Sequence, residues 1–149
     1  MEIIKRTDSN NQDFIDLVAL LDTDLAERDG ADHAFYHQFN SITALKNTLV
    51  LYSNKIPVGC GAIKIFDSTR MEVKRMYVLP SYRGKGYASR ILTALEHWAK
   101  ELGASHCVLE TGKRQPEAIQ LYKKNGYIKR ENYGQYQGIS NSICFEKAI

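Results

Sequence analysis

The chain has 149 residues, enough for one domain with a buried core, and its 44% apolar and 25% charged residues suit a folded globule better than a disordered or fibrous chain. Its 20 basic and 17 acidic residues leave a formal charge of +3, too small an excess to argue for nucleic acid, so any positive site must be local. No apolar run approaches the length of a membrane span and no basic-then-apolar leader opens the chain, which points to a cytoplasmic protein without nucleic-acid or membrane partners.

In chain order, Glu2 to Arg6 is a short strand. Asn11 or Asp13 then caps a helix whose Phe14, Leu17, Val18, Leu21 and Leu25 share one face, and Gly30 ends it. Residues 31–45 read as a short, irregular helical connection. Thr48 to Tyr52 and Pro57 to Phe66 form a hairpin about Ser53-Asn54-Lys55, and a second turn at Asp67-Ser68-Thr69 leads into the strand Met71 to Val78. The pattern so far is an antiparallel meander.

From Tyr82 the spacing changes to a helical period, with Ala88, Ile91, Leu92, Leu95, Ala99 and Leu102 in one stripe and Gly103 as the stop. His106 to Glu110 is a buried strand, so strand, helix and strand imply a right-handed parallel crossover. Pro116 starts another helix carrying Ala118, Ile119, Leu121 and Tyr122, which Asn125-Gly126 ends. Strands near Tyr127 to Glu131 and Ser142 to Lys147 complete the chain. The expected fold is one mixed α/β (α+β) domain over 1–149, a mostly antiparallel sheet with a parallel βαβ unit, flanked by helices. Cys60, Cys107 and Cys144 are far apart, without a CxxC pair, and read as buried reduced thiols. His33 and His37 are four apart but lack the inner glutamate of HExxH, so no metal is expected.

The stretch "YRGKGYASRILTALEHW" brings two glycines and two cations to a helix start, where unpaired amides and partial positive charge suit a phosphate or pyrophosphate. A P-loop is excluded because GxxxxGK[ST] is absent. A dinucleotide reading has Gly84-x-Gly86 after a strand and Glu110 for a ribose, but Ser89 stands where the third glycine belongs and the motif follows a meander. The third reading is Arg83-x-x-Gly86-x-Ala88, in which the glycines turn backbone amides inward while Arg83 and Lys85 add charge.

The segment "EVKRMYVLPSYRGKGYA" resembles the acetyl-CoA-binding motif of the GNAT superfamily of N-acetyltransferases, (Q/R)-x-x-G-x-(G/A), with Arg83, Gly86 and Ala88 at its fixed positions. "LETGKRQPEAIQLYKKNGY" is similar to the family's next strand and helix, ending in A-x-x-L-Y-x-x-x-G-(F/Y). The resemblance covers essentially the whole chain and is greatest to small single-domain bacterial members. It implies a central mixed sheet and transfer of acetyl from acetyl-CoA to a primary amine by direct attack.

What the resemblance implies for single residues follows its motifs. Amides of Arg83, Gly84, Lys85, Gly86, Tyr87, Ala88 and Ser89 would hold the pyrophosphate. Met76, Tyr77 and Val78 would carry the pantetheine arm where their strand splays from the next, an amide near Val78 facing the thioester oxygen. Gln115 stands where the family often has a cofactor-contacting asparagine. Tyr122 matches the general acid that protonates the thiolate. Glu72, eleven residues before Arg83, matches the base of members that have one, while an ion pair with Lys74 or another cation explains it equally.

Strand alternation would put Glu72, Lys74, Met76 and Val78 on one face. The acceptor stays open. Asp22, Asp24, Glu27, Asp29 and Asp32 could draw a cationic amine or be a solvated face. Lys74, Arg75 and Arg114 could hold a carboxylate, and Tyr133-Gly134-Gln135-Tyr136 would border the same pocket. The reading inclines to a small amino-acid-like amine; a homodimer, and a non-catalytic module that binds a CoA ester or nucleotide, are left open.

Overall fold

The computed structural model describes residues 1–38, 41 and 45–149. Its elements are β1 (Glu2–Thr7), α1 (Gln12–Asp29), α2 (His33–His37), β2 (Asn47–Ser53), β3 (Ile56–Ile65) and β4 (Arg70–Val78), followed by α3 (Tyr87–Glu101), β5 (His106–Gly112), α4 (Pro116–Lys124), β6 (Ile128–Arg130) and β7 (Ser142–Ala148). The connection after α1 is partly helical, as its sequence implies; residues 39, 40 and 42–44 lie outside the described residues. Asn11 is the cap of α1, its Oδ1 accepting the Phe14 amide at 3.0 Å. Asn54 and Lys55 both have positive φ, 49° and 71°, the twist a two-residue hairpin turn requires between β2 and β3.

Among the described residues seven strands form one sheet in the order β1-β2-β3-β4-β5-β7-β6, and β4 with β5 is its parallel pair, joined through α3. The expected mixed sheet is therefore present. β7 enters between β5 and β6, so the penultimate strand takes the edge. On one face α3 lays Ile91, Leu92, Leu95 and Ala99 against Leu49, Leu51, Ile63 and Val73. On the other, Phe14, Leu17 and Val18 of α1 cover Val50, Cys60 and Ala62. Tyr36, Tyr133 and Tyr136 continue that second layer over Val108 and Cys144. All three cysteines are buried and free. Leu102 falls just after α3 and is 52% exposed, so the stripe ends at Ala99.

Two irregularities shape the site. The β4–β5 ladder holds only from Arg70↔His106 to Glu72↔Val108, and beyond it the strands part. Opposite Gly61, β4 also carries a bulge, with Arg75 at φ 58°. The extra residue reverses the alternation that the sequence implies. Met76 and Val78 join Met71 and Val73 on the α3 side, while Glu72 and Lys74 face α1. Gly61 leaves room at the bulge: a Cβ there would lie 2.7 Å from Met76 Sδ and 2.9 Å from Leu95 Cδ1, so these side chains would have to shift.

Candidate active site

Where β4 and β5 part, two hollows meet. A groove of about 420 Å³ runs from Met76–Val78 past Gly84, Gly86, Ala88 and Ser89 to the outer side of α4. A smaller cavity of about 90 Å³ lies between the two strands and the end of α1. Leu21, Met76, Gln115 and Tyr122 line both. The two hollows thus adjoin at Tyr122 and these neighbours.

The groove's floor follows from the glycines. Gly84 and Gly86 have φ 79° and 81°, and among the described residues nothing lies within 4 Å of where their Cβ atoms would stand. Helix α3 has no side-chain cap, so its first-turn amides lack the carbonyls that serve later turns. Open backbone at a helix N-terminus fits a pyrophosphate. Arg83 behaves differently from the expectation: its amide bonds Pro80 O at 3.3 Å, and its Nε donates to Val78 O at 2.9 Å. Its guanidinium also lies over the Tyr77 ring, 5.5 Å from the centroid. The side chain thus braces the end of β4. Lys85 stands outside the groove's lining, above the Tyr82 ring. Tyr87 turns inward, its hydroxyl 3.4 Å from Ser53 Oγ. Ser89 Oγ accepts from Asn125 Nδ2 at 3.1 Å and so joins the start of α3 to the end of α4.

Tyr122 is 6% exposed, with its ring against Tyr127 and Phe145 at centroid distances of 5.8 and 6.2 Å. Burial, and then the charge of Glu110, raise its hydroxyl well above the ordinary phenol value. Gln115 precedes α4 and contributes to both hollows.

The cavity holds the other candidates. Glu72 is buried and accepts the Tyr133 hydroxyl at 2.7 Å. Lys74 lines the cavity, and burial lowers its ammonium's pKa against the opposing pull of Glu72. Arg75, its side chain 2% exposed, is ion-paired with Asp22. Arg114 lies outside the lining and donates to the Asp29 carbonyl at 2.5 Å and to Asp32 at 3.3 Å. Tyr136 is a wall of the cavity, 6.3 Å from the ring of Tyr36. The acidic run at the end of α1 is largely spent in ion pairs, with Asp24 on Arg28, Asp22 on Arg75 and Asp32 on Arg114. Asp29 is the member of that run that reaches the cavity.

Sequence reasoning passed over Tyr36, named Asp29 only within the acidic run and Glu110 only for a ribose, and all three line the cavity. Glu110 lines the cavity and is absent from the glycine groove, which leaves the ribose role without support. The signal was present, because a period of two along β5 puts Glu110 with Val108 on the α1 side. Burial, then the charges of Asp29 and Glu72, push its carboxyl up to about 7, against a hydrogen bond from Ser142 and the charge of Lys74.

The profile of the Acetyltransferase (GNAT) family matches residues 14–127. A relative, the IAA acetyltransferase of Azospirillum brasilense, is 41% identical over 93 residues, which are 62% of this chain and 61% of that protein. This chain therefore matches less than two thirds of that relative's length. The crystal structure of a candidate acyl-CoA N-acyltransferase from Klebsiella pneumoniae superposes with a TM-score of 0.83 at 31% identity, covering 99% of this chain and 97% of that one. The PaiA N-acetyltransferase of Thermoplasma acidophilum, solved with coenzyme A, shares the fold at a TM-score of 0.71 and 17% identity, over 100% of this chain and 99% of that one.

Proposed function

Because the chain belongs to the GNAT family of acetyltransferases, we propose that it is an acetyl-CoA-dependent N-acetyltransferase acting on the primary amine of a small molecule. The observation that carries this reading is the position of Tyr122, which lines both the groove suited to the cofactor and the cavity suited to an acceptor. Bound acetyl-CoA supplies an activated acetyl group, to which the amine nitrogen bonds as the carbon–sulfur bond breaks.

The chain's own residues do the rest. Amides from Gly84 to Ser89 hold the pyrophosphate, with Arg83 acting through its backbone neighbourhood and its brace on Val78. Met76 to Val78 present an unladdered strand edge to the pantetheine arm. Tyr122, a phenol that carries its proton at neutral pH, donates to the departing sulfur. Of the two readings of Glu72, its bond to Tyr133 supports the structural one. A cavity of about 90 Å³ suits a compact acceptor, and the ammonium of Lys74 on its wall supports a carboxylate beside the amine. The buried free thiols support a reducing, cytoplasmic setting.

Release of free thiol from acetyl-CoA across a panel of small amines tests the proposal. Turnover with at least one amine is expected. Binding of acetyl-CoA with no thiol released for any amine would favour a non-catalytic CoA-ester module instead.

A further inference from the structure

We propose that Lys74 is a modification site: when the cavity holds no acceptor, acetyl-CoA in the groove acetylates its Nζ. The proposal rests on the acetyltransferase reading and adds to it a reaction of the chain with itself. Among the described residues Lys74 is the one lysine on the cavity wall, and it ends in a primary amine, the group that the proposed reaction consumes. Met76, Gln115 and Tyr122 line both hollows, so a thioester brought along the groove to Tyr122 stands at the edge of the space that Lys74 borders. Lys124 lines the groove but not the cavity, and it is exposed.

The surroundings also ready this amine. Lys74 is half-buried, and burial is the largest influence on its ammonium, lowering its pKa. Lys64 of β3 and Arg75 of β4 push the same way, whereas Glu72 of β4 and Glu110 of β5 help it keep the proton. Asp29 of α1, Tyr36 of α2, Tyr122 of α4 and Tyr136 complete the titratable groups of the wall. A larger share of Lys74 is therefore the neutral nucleophile than of an exposed lysine. The ammonium first gives one proton to water. The Nζ lone pair then bonds to the acetyl carbon, and the carbon–sulfur bond breaks with its electron pair on sulfur. A second proton lost from the nitrogen balances the one that sulfur gains, leaving free thiol and an uncharged amide. Acetylation removes the charge that Lys74 would offer a carboxylate, and the acetyl group takes up part of a cavity of about 90 Å³. Acceptor and Lys74 thus compete for one thioester.

The test incubates the wild-type protein with acetyl-CoA and no amine, and follows intact mass and the peptide map of every lysine. Lys74 should gain an acetyl group ahead of the exposed Lys5 and Lys55 by about 10-fold or more, because the groove delivers the thioester to it. Acetic anhydride, which needs no groove, should reverse the order and modify Lys5 and Lys55 first. Lys74 reacting no faster than those lysines with acetyl-CoA, or leading with both reagents, overturns the proposal. Excess coenzyme A, competing for the groove, should suppress acetylation at Lys74 and spare Lys5 and Lys55; equal suppression at all three, or none, overturns it as well. In K74R the early acetyl group should be absent, and its appearance on another lysine at the same rate means that Lys74 is not the site. A wild-type protein that does not bind acetyl-CoA by calorimetry sinks the acetyltransferase reading itself. That result is distinct from a protein that binds it, releases thiol with an amine and leaves Lys74 unmodified.

Discussion

The Tyr133 hydroxyl donates to Glu72 Oε2 at 2.7 Å, joining the segment after β6 to the middle of β4 with both side chains buried. A buried carboxylate that loses such a donor keeps its desolvation cost without compensation. Tyr133→Phe should therefore destabilise the fold by about 1–3 kcal/mol, measured by urea denaturation. Glu72→Gln still offers an oxygen to Tyr133, and its turnover should stay within about 10-fold of wild type, below the usual worth of a general base. A loss of about 100-fold or more would return Glu72 to the base role.

Glu110 also couples folding to pH. Its carboxyl sits at about 7 in the folded chain against 4.5 for an ordinary glutamate. Between those values the folded state binds more protons than the unfolded one, so stability falls as pH rises through that window. The contribution is complete below the ordinary value and lost above the folded one. Glu110→Gln has no charge to desolvate. Relative to wild type its stability should be close to even at pH 4.5 and higher at pH 8 by about 1–3 kcal/mol, the partial exposure of Glu110 placing it below the full shift. Denaturation curves at the two pH values check this; a difference that does not change with pH means that Glu110 titrates normally.

Much of this fold is legible because period and punctuation agree along the chain. The stripe Ile91, Leu92, Leu95 and Ala99 is buried as its spacing implies, and Asn11, Asn54 and Gly86 mark the turns and caps they resemble. The bulge at Arg75 is different. It depends on what Gly61 permits across the ladder and on Asp22 of α1 holding the guanidinium, neither of which is a local property of the sequence around residue 75. One inserted residue then reverses the facing of Met76 and Val78. The site was legible to the same degree. Motif spacing singles out the glycine segment and Tyr122, which line the hollows, whereas the tie of Glu72 to Tyr133 joins residues 61 apart along the chain.

Gly86 tests the groove. Its φ of 81° disfavours any β-branched residue, although the space around its missing Cβ is open. Gly86→Val would either strain the turn or move the amides proposed to hold the pyrophosphate, at a cost of about 1–3 kcal/mol. Acetyl-CoA affinity should fall by about 10-fold or more while the cooperative unfolding transition remains. Calorimetric titration reads the first and thermal unfolding the second. Unchanged affinity would place the pyrophosphate elsewhere.

Tyr122 is the residue on which the acetyltransferase reading is most exposed. Its ring packs against Tyr127 and Phe145 within the α3-side core, so removing the ring would confound chemistry with stability. Tyr122→Phe keeps the packing and removes only the hydroxyl. A thiolate with a pKa of about 8.5, as for a cysteine side chain, is a tolerable leaving group, so the loss is expected at the low end of the roughly 100- to 10,000-fold range of general-acid catalysis. The fall should appear in kcat with acetyl-CoA affinity nearly unaltered, because the hydroxyl matters only as the carbon–sulfur bond breaks. A tyrosine that serves packing alone predicts the opposite, normal kcat with a stability change of about 1 kcal/mol from the missing hydroxyl. Steady-state kinetics and cofactor titration on the purified Phe variant decide between them, and full activity removes Tyr122 from the chemistry.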